Sequence, residues 1–134
     1  MRGSLLLLRI LAVLHAVAVF LQPVLAGSYL SGSVSAIRAH QTVGLGVSVL
    51  ATILLPMATI YWRRGGSGAP ALVAALILAV ESYQIALGFD RFLALHIPVG
   101  VGLLFASCAL AIWTFRPAAR VDRRAARPDG RALA

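Results

Sequence analysis

Phe92-Leu-Ala-Leu-His96-Ile-Pro-Val-Gly100-Val-Gly-Leu-Leu-Phe-Ala-Ser-Cys108-Ala-Leu-Ala-Ile-Trp-Thr-Phe115 runs for 24 residues with one histidine as its only ionisable side chain besides the thiol of Cys108. A helix rises 1.5 Å per residue, so about 20 residues cross a hydrocarbon core of about 30 Å. Backbone groups in lipid must find partners inside their own segment, which makes the stretch a helix. Three comparable stretches precede it, at about 5–25, 43–62 and 69–87. A membrane β-barrel needs shorter, alternating segments, and none is visible. The fold class expected is all-α: an integral membrane four-helix bundle.

Composition agrees. The chain has 134 residues, 60% of them hydrophobic and only 12% charged, with a mean hydropathy of +0.92. A soluble domain carries about a quarter charged residues. The expected organisation is a bundle over residues 1–116 and a basic tail over 117–134, disordered or resting on anionic lipid. The lipid bilayer is the first partner implied.

The net charge of +8 comes from twelve arginines and no lysine. These arginines lie between and after apolar blocks, not on an amphipathic face, which excludes nucleic acid as a partner. Ten fall on one side of the four spans: Arg2, Arg9, Arg63, Arg64 and the six from Arg116 onward. Only Arg38 and Arg91 fall on the other. The positive-inside rule then places both termini in the cytoplasm. Lysine-free sequence rich in Ala, Gly and Val points to a GC-rich bacterial genome, hence a bacterial plasma membrane. Cys108, the one cysteine, has no internal disulfide partner.

The second and fourth spans open alike. His40-Gln-Thr-Val-Gly44-Leu-Gly46 matches His96-Ile-Pro-Val-Gly100-Val-Gly102 as H-x-x-V-G-x-G. The preceding spans close alike too, Gln22-Pro-Val-Leu25-Ala-Gly27 against Gln84-Ile-Ala-Leu87-Gly88. The chain reads as two parallel-repeat hairpins, the first with about six extra loop residues. Residues 1–26 also have the pattern of a secretory signal. Cleavage there would remove Gln22 from the repeat, so the first helix is expected to be retained.

Ionisable groups within a bilayer are costly and point to function. Here they are His15, Glu81, His96 and, at the boundary, His40. Two histidines at equal depth on two helices of a bundle suit axial ligation of a haem iron. Gly44 and Gly100, one turn deeper, leave room for a flat ligand or for close helix contact. Arg38 and Arg91 lie just outside each histidine, where they can pair haem propionates. Gln22, Glu81 and Gln84 are candidates to orient the rings. Each has a plainer reading. The histidines and Glu81 can be polar contacts between helices, the glycines packing positions, and the arginines interfacial anchors. Tyr29, Tyr61 and Trp62 sit where aromatic belts sit. No P-loop, HExxH, CxxC or nucleophile elbow is present.

The Gln84-to-Gly88 ending, the short turn and the Leu95-His96-to-Gly100 opening resemble one four-helix half of the haem A synthases, with Gln22-to-Gly27 and His40 echoing them. The resemblance covers about residues 12–115. It implies haem held by His40 and His96. Where that family carries a glutamate three residues before the second-helix histidine, this chain has Ile37. It also contains one half, not two. Both departures point away from a haem-oxidising enzyme and towards a haem-b-binding relative. The chain also resembles small four-span membrane proteins of GC-rich bacteria.

Three functions remain open on the sequence. One is a bis-histidine haem b protein for electron transfer or haem handling, with a redox partner or membrane complex as its protein contact. One is a proton-relay or transport bundle using Glu81 and His15. One is a non-catalytic membrane subunit. None makes the chain an enzyme in its own right.

Overall fold

The computed structural model describes residues 2–123. Four helices follow in order: α1 (Arg2–Leu30), α2 (Ser35–Arg63), α3 (Ala69–Phe89) and α4 (Leu93–Phe115), then a 3-10 turn over Pro117–Arg120. No strand occurs among the described residues. All four helices are long and apolar enough to cross a membrane. Large apolar side chains such as Leu6, Phe20, Leu45, Ile53, Leu76 and Phe105 point outward. A bundle apolar outside as well as inside suits lipid as its solvent.

The helices form a square. Each packs against its two neighbours in the order α1, α2, α3, α4 and back to α1, and the diagonal pairs α1–α3 and α2–α4 stay apart. The α1–α2 and α3–α4 connections share one end, called here the hairpin end. The termini and the α2–α3 turn share the other, the terminal end.

The repeat extends through the core. A shift of 62 residues takes Gln22 to Gln84, and also takes buried Ala12 to buried Ala74 and His15 to Ile77. A shift of 56 takes His40 to His96, and also takes Val47, Ala51, Leu54 and Ala58 to Leu103, Ser107, Leu110 and Thr114, all buried. The two hairpins thus bury equivalent faces of equivalent helices.

The extra residues of the first hairpin are not loop. A loop is expected over 27–41, but α1 continues to Leu30 and α2 starts at Ser35. The apolar run ends before the helix does, because Ser and Arg are acceptable in a helix that has left the hydrocarbon. Gly32 turns the chain with φ 101°, and Arg91 does so in the second connection with φ 55°.

The terminal end is tied down. Tyr61, an aromatic-belt candidate by sequence, is fully buried. Its hydroxyl donates to Ala119 O at 2.9 Å. The ring lies so close over Gly66 that a Cβ there would sit 2.2 Å from it, so only glycine fits. Arg9 Nε donates to Thr114 O at 2.8 Å, and its guanidinium stacks 5.1 Å above Phe115. Arg123 N donates to Gly65 O. The start of the basic tail is therefore packed on the bundle at Ala119 and Arg123; the sequence leads one to expect a tail from 117 that is disordered or rests on anionic lipid. The remainder of that expectation, residues 124–134, lies outside the described residues.

Candidate functional site

His40 lies in the second turn of α2 and His96 in the first turn of α4. These helices are diagonal partners, yet the two side chains meet across the bundle near the hairpin end. Their ring centres are 6.2 Å apart with 63° between the planes.

Each ring is held by the glutamine of the preceding helix. His96 Nδ1 is 3.0 Å from Gln84 O, and Gln84 Nε2 donates back to His96 O at 2.7 Å. His40 Nδ1 is 3.1 Å from Gln22 O. A backbone carbonyl has two lone pairs, so it serves its own helix and the ring together. Oriented by its neighbours, the Gln22 amide nitrogen donates to His40 O at 3.1 Å, and its oxygen accepts from Gly44 N at 3.1 Å. That nitrogen also lies 3.1 Å from His40 Nδ1. The carbonyl contact assigns the proton to Nδ1 of His96, whereas Nδ1 of His40 faces both a carbonyl acceptor and an amide donor, so its role follows the tautomer. Neither Nε2 makes a hydrogen bond among the described residues.

The glycines make the clamps possible. A Cβ on Gly100 would stand 2.8 Å from Gln84 Nε2, and one on Gly44 3.5 Å from the Gln22 amide. Both glycines face the glutamine side chain of the preceding helix. Gly88 faces the ring of His96, where a Cβ would come within 3.0 Å of Cε1. The side chains of Arg38 and Arg91 are exposed at the hairpin end and form no hydrogen bond or ion pair among the described residues.

Glu81 stands apart from these rings. Its Oε1 is 2.7 Å from His15 Nε2, and the two side chains are 4% and 1% exposed. The pair crosses the other diagonal, from α1 to α3, deeper in the bundle. Sequence periodicity places His15 with Gln22 and Glu81 with Gln84, but which helices face each other is a tertiary fact. Glu81 Oε2 and Gln84 Oε1 are both buried without a hydrogen-bond partner among the described residues. No group of three or more His, Cys, Asp or Glu side chains suited to a metal ion occurs among them.

Comparison of the chain with protein-family models, with curated proteins and with solved structures returned no match.

Proposed function

We propose that this multi-pass membrane protein binds one haem b between His40 and His96 and serves electron transfer or haem handling. The observation that carries the reading is the matched pair of rings, 6.2 Å apart, each with Nδ1 tied to a glutamine carbonyl and Nε2 free. Metal-ligating histidines commonly donate their other N–H to such a carbonyl, which fixes tautomer and ring direction. Two imidazoles that each reach one metal ion at about 2.0–2.1 Å hold their ring centres roughly 6 Å apart. The donor set and its spacing therefore fit a two-histidine axial site.

Haem b, when bound, supplies a one-electron couple tuned by its axial ligands and their hydrogen bonds. The chain does the rest. Gln22 and Gln84 orient the imidazoles, and Arg38 and Arg91 bring positive charge to the hairpin end for propionates. In this reading the chain is a haem-b-binding relative of one half of the haem A synthases. Ile37 supplies no carboxylate beside His40, in keeping with haem binding without haem oxidation.

The test is a reduced-minus-oxidised spectrum of the purified protein supplied with haem. A sharp low-spin band is expected in the native chain. It disappears in the His40→Ala/His96→Ala double variant, while far-ultraviolet dichroism shows the helices intact. A native protein without that band rejects the proposal.

A further inference from the structure

The haem reading leaves Glu81 and His15 unused, although they are the most deeply buried ionisable pair in the described chain. Their geometry asks for one more proton. His15 Nε2 occupies one carboxyl oxygen of Glu81 at 2.7 Å. The other, Oε2, is buried without a donor, and so is Gln84 Oε1. Positions 81 and 84 are three apart on α3, so they share a face and lie one turn from each other. Two bare acceptors on one buried face are an unfavourable arrangement, and a proton on Oε2 would turn one of them into a donor. Gln84 is the residue whose carbonyl and amide nitrogen hold His96.

We infer that the Glu81–His15 pair takes up a proton when the two-histidine site takes up an electron, so that the protein moves the two charges together. The inference rests on the haem reading. A one-electron donor such as dithionite supplies the electron. A hydronium ion supplies the proton, losing one O–H bond as an O–H bond forms at Glu81 Oε2. The net charge of the bundle interior is unchanged by the step. The physical drive is the low dielectric of the core, in which an added negative charge is poorly screened and is best offset by a positive one.

Few other groups compete. Of the titratable side chains inside the surrounding helices, α1 brings His15, α2 brings His40 and, bonded to Ala119 O at the terminal end, Tyr61, and α4 brings His96 and Cys108. Arg9 of α1 is committed to Thr114 O at the terminal end. On α3 itself, Tyr83 is exposed.

The experiment is a redox titration of the haem-loaded full chain at a series of pH values. One proton per electron lowers the midpoint by up to about 59 mV for each rise of one pH unit, a tenfold change in proton concentration. Glu81→Gln flattens that slope while the low-spin band persists, and His15→Gln serves as the second variant if the first does not fold. On the native protein, the reduced-minus-oxidised infrared spectrum gains a carboxylic-acid C=O band that shifts in heavy water. A native midpoint that ignores pH, or an equal slope in the native chain and both variants, overturns the inference and leaves the haem reading standing. A native chain with no low-spin band overturns both.

Discussion

The two hairpins agree at the hairpin end and differ in the middle. At the ends, Gln22 with His40 repeats as Gln84 with His96, down to the carbonyl that holds each ring. In the middle, the position of His15 in α1 is Ile77 in α3, and the position of Glu81 in α3 is Val19 in α1, all four buried. The substitutions are complementary: one hairpin kept the imidazole and the other the carboxyl. Two identical hairpins would each bury a histidine against a valine, or a glutamate against an isoleucine. The repeat therefore holds where the two rings meet, and breaks where one contact joins unlike halves.

Restoring the symmetry is the most severe way to test this. His15→Ile or Glu81→Val alone leaves a buried ionisable group without its partner, at a cost of about 3–5 kcal/mol. The double variant His15→Ile/Glu81→Val makes the halves alike at both positions, and replacing a whole buried pair by apolar groups is often neutral or stabilising. Denaturation in detergent should therefore show two unstable single variants and a double variant near the native midpoint. Three equally unstable proteins would mean that the cavity, not the lost partner, dominates.

A smaller difference lies in the clamps. At Gly100 a methyl group would meet Gln84 Nε2 at 2.8 Å, whereas at Gly44 it would make ordinary contact at 3.5 Å. Gly100→Ala must move the amide off His96 O, a loss of about 1 kcal/mol for the bond. Gly44→Ala keeps its amide in place and gains about 0.5–1 kcal/mol of helix propensity. Thermal midpoints should fall for the first and hold or rise for the second. Haem retention should follow the same order, because Gln84 also orients the ring. Equal effects would make the two clamps interchangeable.

Much of this was legible in the residues themselves. Spans show as uncharged runs of membrane length, and the H-x-x-V-G-x-G repeat places two histidines at one depth, because both are local in sequence. The partner of His15 was not legible. Periodicity gives a face to each helix but not the neighbour it meets, and this pair joins α1 to α3 across the diagonal. The signal available was the repeat itself, since aligning Gln22 with Gln84 sets His15 against Ile77. Tyr61 shows the opposite failure: its position next to Trp62 suits an interfacial belt, and only the glycine at 66 hints that a ring lies over the turn. Helix ends were missed at 27–41 because hydropathy reports the hydrocarbon boundary, whereas α1 and α2 run past it.

The slightest contrast is in the connections. The first hairpin turns through Gly32 at φ 101°, the second through Arg91 at φ 55°. A residue with a Cβ in the left-handed region costs about 1–2 kcal/mol, which glycine avoids. Phe92 N donating to Leu87 O and Arg91 N to Gly88 O form a helix-ending motif that ordinarily takes glycine there. An exposed arginine with no ion-pair partner among the described residues does not offset that cost by its own side-chain contacts. Arg91→Gly should raise the unfolding midpoint by the equivalent of about 1 kcal/mol and, on the proposed haem reading, loosen haem by removing one of the two cations at the hairpin end. Arg38→Ala, in a helix with no strain to relieve, should loosen haem without the gain in stability. If Arg91→Gly stabilises the protein and leaves haem affinity untouched, the arginine is an interfacial anchor and the propionate role assigned to it falls.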